Sequence, residues 1–390
     1  MWESMNNNPR LFLKYLKNVK NAITGYPYPP HLILFVTDKC NAKCSHCFFW
    51  KDLNQVENDL SLEEIEKIFR NFPGPISYLY LTGGEPFLRK DIVDICLIAE
   101  RYAGVKDIQI PTNGILGDRI VDFVKSIFRT FQGIVTIQIS LDDYEELHDK
   151  NRGVSGTFKM AVETATRLRE LQTSYSNLKI FINTTVSNKN YKGLHKLETF
   201  VKNELGLPHN FELIRGSSFS TSFKDTNDFN PKDSGTTLPE KLELIALHSK
   251  LLHTIKTVSP KGFIEKIGKE FGLLSLRSVY RPLLKAKFEV KCLAGELIGV
   301  IYSDGKVAFC ELTMPIGDLR ENNYQFLKAW RTKEANLLRK KLKKCYCTHG
   351  CFMLPSTMYS QKNILKALIA ALLKIRIGYG TSKDISAPGD

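Results

Sequence analysis

Long apolar runs are missing from this 390-residue chain, and none reaches the roughly 18 to 20 residues needed to cross a bilayer as a helix. The opening stretch, Met1 to Arg10, is polar and lacks the apolar core of a secretory signal. Together these absences lead us to expect a cytoplasmic protein. Acidic residues are also scarce: 41 Asp and Glu face 55 Lys and Arg, leaving a net charge of +14. A field of that sign attracts phosphates, nucleic acid, anionic lipid or acidic peptides. The surplus is spread along the chain, as solvated lysines usually are, so a nucleic-acid partner is not expected. Nor is this a disordered chain, since 43% hydrophobic and 25% charged residues are ordinary for a soluble globular protein. The length suits one large catalytic domain with a smaller attachment.

From His31 to Gly216 short apolar runs alternate with helix-period segments. The runs are His31 to Thr37, Ile76 to Thr82, Asp107 to Pro111, Ile134 to Leu141, Leu178 to Val186 and Asn210 to Ile214, each of the length and β-branched character of a buried parallel strand. Ser61-Leu62-Glu63-Glu64 is a capping box opening a helix, and 157–172 and 191–205 have helical periodicity. Such β-α repeats require parallel strands with right-handed crossovers, and their reactive groups belong beyond the carboxyl ends of the strands. The fold expected is α/β, a partial (β/α)6 barrel with a small C-terminal cysteine-rich α+β extension. Residues 1–30 form a basic amphipathic N-terminal segment, 31–216 the barrel and 217–290 a polar linker with a helix over 238–257 and mixed structure after it. Residues 291–353 then form the cysteine-rich module, and 354–390 a C-terminal amphipathic helix and tail. In that helix Lys362, Lys366 and Lys374 line up beside Leu365, Leu368, Ile369 and Leu372, and Lys14, Lys17 and Lys20 do so more weakly over 11–23. Basic amphipathic helices either dock on protein or lie at a membrane surface, which adds a membrane-peripheral location to the cytoplasmic one.

In the cytoplasm the nine cysteines stay reduced, so clustered ones are metal ligands or catalytic thiols. Cys40, Cys44 and Cys47 place three thiols within eight residues directly after the first strand. Thiolates are preferred iron–sulfur ligands, and three of them leave one iron of a cubane open. A structural zinc site would want a fourth ligand nearby, and His46, wedged between Ser45 and Cys47, is poorly placed to supply it. Cys96 sits in an apolar helical pattern and is expected to be core.

The C-x3-C-x2-C spacing resembles the radical S-adenosylmethionine superfamily. The match extends along the chain through Gly83-Gly84-Glu85-Pro86, Ser140-Leu141-Asp142, Leu147-His148-Asp149 and Asn151-Arg152-Gly153, in the family's order and near the expected strand ends. One departure is Asp143, where a glycine commonly follows. The resemblance implies a 4Fe-4S cluster on Cys40, Cys44 and Cys47, with S-adenosylmethionine chelated to the open iron. It assigns the methionyl ammonium to Gly83, Gly84 and Glu85, and the carboxylate or ribose to Ser140 and Arg152. His46 takes the place of an aromatic residue near the adenine. It further implies reductive cleavage to a 5'-deoxyadenosyl radical, with a small electron donor such as flavodoxin or ferredoxin as partner.

Five more cysteines, Cys292, Cys310, Cys345, Cys347 and Cys351, flank a hairpin signal at 298–309 and resemble the SPASM and twitch extensions that hold auxiliary 4Fe-4S clusters. Ser303-Asp304-Gly305-Lys306-Val307 and Ile316-Gly317-Asp318-Leu319 fit that pattern. Five thiols suit one auxiliary cluster. The preferred set is Cys292, Cys310, Cys347 and Cys351, with Cys345 either an alternative ligand or a hydrogen-atom donor near the substrate; zinc is the runner-up for this module. The resemblance points to oxidation, crosslinking or epimerisation of a peptide. Dehydrogenation of a sugar, aminocyclitol or lipid-linked small molecule is the alternative, and a non-catalytic iron–sulfur carrier or sensor is the reading from another class.

Overall fold

The computed structural model describes residues 19–21, 25–55, 58–216, 230–260, 262–285, 289–343, 345 and 347–373. Most of the N-terminal basic segment, including Lys14 and Lys17, lies outside these residues, as do 217–229 of the linker and Lys374.

Six strands, β1 (His31–Thr37), β2 (Tyr78–Gly83), β3 (Asp107–Thr112), β4 (Ile134–Ser140), β5 (Leu178–Val186) and β6 (His209–Leu213), pair in parallel with each next neighbour. In β2, β3 and β4, Ile, Leu and Val alternate with Tyr, Gln, Thr or Ser. Leu79 and Leu81 of β2, and Val135, Ile137 and Ile139 of β4, are fully buried. The intervening positions Tyr78, Tyr80, Gln109 and Gln138 point to the other face, where their side chains hydrogen-bond in one chain. Gln109 Nε2 donates to Gln138 Oε1 at 2.6 Å, Tyr80 donates to the same oxygen at 3.4 Å, and Tyr78 donates to Gln109. Period-two alternation thus gives this sheet an apolar face under the helices and a polar inner face.

The crossover helices are α1 (Leu62–Arg70), α2 (Ile92–Ala103), α3 (Gly117–Ile127), α4 (Glu146–Arg152) with α5 (Thr157–Leu171), and α6 (Leu194–Phe200). The capping box expected at Ser61 is formed in both directions, with Glu64 answering the cap amide at 2.9 Å; such a cap contributes about 1 kcal/mol. Cys96 is fully buried in α2.

The cysteine-rich region does not stand apart from this sheet. Its hairpin, β7 (Ile298–Ile301) and β8 (Lys306–Ala308), joins it because β7 pairs in parallel with β1, and β9 (Gly317–Asp318) follows. The order is β6-β5-β4-β3-β2-β1-β7-β8-β9, with β6 and β9 at opposite edges: an unclosed partial barrel with an antiparallel extension.

Beyond β6 lie α7 (Lys241–Thr257) and α8 (Phe263–Lys285), and beyond β9 come α9 (Phe326–Trp330), α10 (Lys333–Leu342), α11 (Gly350–Met358) and α12 (Gln361–Leu373). The long helix α8 departs from the mixed structure expected after 257. Gly268, Gly272 and Pro282 weaken its helical signal, but packing against α7, α11 and α12 holds it, with Phe271 and Leu274 buried. The segment from Thr348 through α11 spans the open side of the barrel. Thr348 donates to the Ile214 carbonyl at 2.8 Å, and Tyr359 sets its ring edge-on to His31 at 5.7 Å.

Candidate active site at the strand ends

The loop carrying Cys40, Cys44 and Cys47 follows β1 and is gripped from two sides. Lys43 and Ser45 donate their amides to the carbonyls of Arg152 and Asn151, each at 2.8 Å. On the other side Lys232 and Asp233 donate to the carbonyls of Cys47 and Ser45 at 3.1 and 2.8 Å. The end of the polar linker therefore shapes the cysteine loop, a role its composition did not suggest.

Gly83 and Gly84 close β2 directly against that loop. Gly83 has φ of 136°, and a Cβ there would strike the Thr37 carbonyl; at Gly84 it would strike the Lys39 carbonyl and lie 2.9 Å from Cys40 Cβ. Both glycines are required by backbone packing before any ligand is considered. Next to them the Glu85 carboxylate is buried and accepts from the Thr112 hydroxyl at 2.9 Å, the Asn113 amide at 2.8 Å and the Phe87 amide at 3.2 Å. It ties the end of β2 to the end of β3. Burial raises its pKa to about 7, against those three hydrogen bonds, which favour the charged form.

Asp142, one residue past Leu141 at the end of β4, organises the opposite wall. Its fully buried carboxylate pairs with Arg152 at 2.7 Å, and accepts from Asn151 Nδ2 and the Thr185 amide, each at 3.1 Å. His148 Nδ1 accepts from the Asp142 amide at 3.1 Å, and Asn190 Nδ2 donates to the Asp142 carbonyl at 2.6 Å. Burial alone would raise the Asp142 pKa, but Arg152, then His46 and His148, bring it below the ordinary value. His46 Nε2 lies 3.8 Å from Asp142, and Nδ1 lies 3.3 Å from Asn151. Burial lowers the His46 pKa, against Asp142, which raises it.

Arg152 connects this wall to the cysteines, with Nη1 lying 3.6 Å from Cys44 Sγ. Its Nε is buried and has no hydrogen-bond partner among the described residues. Burial drives the Cys40 and Cys47 thiols up to about 12 and raises Cys44 too, although Arg152 pulls each down. Three converging thiols, a buried guanidinium beside one of them and an unanswered donor fit an anionic iron–sulfur cluster with an anionic ligand close by. Ser140, half-buried at the end of β4, lies on the same rim.

The second cysteine group has its own internal grouping. The thiols of Cys292, Cys310, Cys345 and Cys347 lie within electrostatic reach of one another, Cys347 hydrogen-bonds Cys345, and all four are buried. Cys351 turns away. After burial, its main influences are Glu212, Arg215 and Glu311, and it hydrogen-bonds Arg215. Helix α11 explains this: Cys351 sits in its first turn, whereas Cys345 and Cys347 precede it.

Between the two cysteine groups stands a buried polar bridge that the sequence did not single out. Arg215 Nη1 lies 3.1 Å from Glu311 Oε2 and 2.7 Å from His349 Nε2, and Glu311 approaches His349 Nε2 at 2.6 Å. His349 Nδ1 is 3.7 Å from Cys310 Sγ, and its amide donates to Cys347 Sγ at 3.4 Å. At the other end the Arg215 guanidinium stacks on Phe48, next to Cys47, at 5.0 Å. Glu311, His349 and Cys351 converge within 4.8 Å, a separation open to a cation, but Arg215 already supplies the positive charge there. Arg215 lies two residues past β6 and Asn113 one past β3; position just beyond a strand end was the available signal for both.

Residues 34–189 match the Radical SAM superfamily model. Given that match, the partial barrel and the three-thiol loop, residues 34–189 form a domain of the radical SAM superfamily. Its relatives include a GTP 3',8-cyclase of Clostridium perfringens, 29% identical over 61% of this chain and 71% of that protein. They also include an Fe-coproporphyrin III synthase of Methanosarcina barkeri, 29% identical over 45% of this chain and 44% of that one. Among solved structures, anSMEcpe with bound AdoMet shares the fold at a TM-score of 0.56, with 17% identity over 91% of this chain and 98% of that one. Streptococcus suis SuiB bound to precursor peptide SuiA does so at 0.53, with 18% identity over 88% and 76%. The chain is a radical SAM enzyme, the class that uses a 4Fe-4S cluster to cleave S-adenosylmethionine.

Proposed function

We propose that this enzyme oxidises, crosslinks or epimerises a peptide, using a second 4Fe-4S cluster held by Cys292, Cys310, Cys345 and Cys347. The observation that carries the reading is the pair of cysteine groups, the first half-buried and the second buried, on either side of Arg215, Glu311 and His349. When bound, the cluster on Cys40, Cys44 and Cys47 and its S-adenosylmethionine supply a 5'-deoxyadenosyl radical able to take hydrogen from unactivated carbon. Arg152 holds an anionic partner beside Cys44, with Asp142 fixing its orientation, and Ser140 adds a hydroxyl on the same rim. The backbone of Gly83, Gly84 and Glu85 meets the cofactor ammonium, since the Glu85 carboxylate is committed to β3. His46 faces the adenine. Tyr78, Tyr80, Gln109 and Gln138 offer amides and hydroxyls that suit a peptide backbone, and Cys351 presents a thiol to the same space. Two of the structures sharing this fold are SuiB with its precursor peptide and anSMEcpe with a peptide. The GTP 3',8-cyclase relatives favour a second reading, a small phosphorylated substrate, which the net charge of +14 also suits.

The test is anaerobic incubation of the reconstituted enzyme with reductant, S-adenosylmethionine and candidate peptides, followed by mass analysis. Formation of 5'-deoxyadenosine with a mass change in a peptide supports the proposal. Formation of 5'-deoxyadenosine with modification of a nucleotide and of no peptide overturns the peptide assignment. Substituting Cys40, Cys44 and Cys47 together with alanine leaves about four irons per chain if the second cluster exists; loss of all iron overturns that part.

A further inference from the structure

Away from both cysteine groups, α8 and α12 enclose a cavity of about 250 Å³ whose charge is one-sided. Arg277, Arg281, Lys362 and Lys366 line it, and the single lining carboxylate is Glu289. Glu289 is shared by two of those cations, Arg277 at 3.2 Å and Arg281 at 2.5 Å. The buried hydroxyl of Ser278 and the buried Asn363 complete the floor. Lys366 has its pKa lowered first by burial, then by Lys362 and Arg277. Lysines facing other cations in a partly buried cleft are strained electrostatically, and an entering phosphate relieves that strain.

Helix α12 also carries an exposed apolar face. Leu365, Ile369 and Leu372 are 59%, 37% and 65% exposed. At roughly 3.6 residues per turn they fall on one stripe, opposite Asn363, Ala367, Ala370 and Ala371, which pack inward. Lys362 and Lys366 border that stripe, between it and the cavity. A solvent-facing apolar stripe flanked by lysines beside a basic cleft is the arrangement of a helix lying in a membrane interface.

We infer that α12 docks this enzyme on an anionic phospholipid surface, its leucine stripe entering the acyl boundary and a lipid phosphate entering the cleft formed by Arg277, Arg281, Lys362 and Lys366. The charge of the cleft selects an anionic headgroup, and the stripe beside it selects a lipid over a free phosphate. This docking is independent of the substrate assigned above, because none of these residues touches either cysteine group.

The test is co-sedimentation of the iron-loaded full chain with vesicles of phosphatidylcholine alone or mixed with phosphatidylglycerol. Binding to the mixed vesicles, little to the neutral ones and weakening with salt are expected. The variants Lys362→Gln and Lys366→Gln each reduce binding about fivefold, and Leu365→Gln with Leu372→Gln reduces it further. All should retain the parent's circular dichroism and its S-adenosylmethionine cleavage. The inference is overturned by equal binding to both vesicles, binding to neither, binding to mixed vesicles that these variants do not alter, or protection of the cleft by inorganic phosphate without vesicle binding. Self-association abolished by the leucine variants, without vesicle binding, also overturns it and assigns the stripe to a second copy.

Discussion

Replacing Arg152 with glutamine tests whether the wall opposite Gly83 and Gly84 is built as described. The Arg152–Asp142 pair is 2.7 Å long, with side chains 8% and 0% exposed, so removing the guanidinium strands a buried carboxylate. Breaking a buried pair from one side costs about 3 to 5 kcal/mol, a large share of the roughly 5 to 15 kcal/mol by which proteins are stable. Asn151 and the Thr185 amide remain as donors to Asp142 and soften the loss, so we expect the lower end, about 3 kcal/mol. Adding Asp142→Asn removes the stranded charge, so the double variant should be more stable than the two single costs predict by about 1 to 3 kcal/mol. Urea unfolding of the iron-free chain, followed by circular dichroism, measures both quantities. A cost for Arg152→Gln below about 1 kcal/mol, or strict additivity in the cycle, refutes the buried-pair reasoning.

Other consequences are equally direct. Glu85 has its folded pKa raised from 4.5 to about 7, so the folded state keeps a proton that the unfolded chain releases. Its contribution to stability is complete below about pH 4.5 and is lost as pH rises through 7, a swing of about 3 kcal/mol. Unfolding of the iron-free chain across that window should show the slope, and Glu85→Gln should remove it; an unchanged slope assigns it elsewhere. Gly84→Ala places a methyl group against the Lys39 carbonyl, and should cost about 1 to 3 kcal/mol and lower iron bound at Cys40, Cys44 and Cys47. Normal iron content and stability in that variant would show that the loop yields. Cys345→Ala should lose auxiliary iron, whereas Cys351→Ala should keep it; iron analysis in the background lacking Cys40, Cys44 and Cys47 decides, and the opposite pattern restores Cys351 as a ligand.

Strand positions and the first cysteine group were legible because both are local. Six apolar runs of strand length, each followed by a helical period, demand parallel pairing whatever surrounds them, and five of the six observed strands begin within one residue of the expected start. β2 starts two residues later, at Tyr78, because the Ser77 amide turns to the Pro30 carbonyl at 2.6 Å. Motifs at strand ends are equally local, since the end of a strand sets where the next few side chains stand. Helix α8 was not legible, because glycine and proline lower its intrinsic propensity while its neighbours pay the difference in packing.

By itself the sequence determined the alternating β-α order, the glycines at the end of β2 and the three-thiol loop, all consequences of bonding over a few residues. Only the tertiary structure decided which thiols of the second group meet. Cys345, Cys347 and Cys351 are nearly adjacent in the chain, yet the start of α11 sends Cys351 toward Glu212 and Arg215 and leaves the other two with Cys292 and Cys310. The joining of β7 to β1, the Arg215–Glu311–His349 bridge and the basic cleft between α8 and α12 likewise bring together residues dozens to hundreds of positions apart. Such meetings are governed by how faces pack in three dimensions, and spacing along a chain carries no record of them.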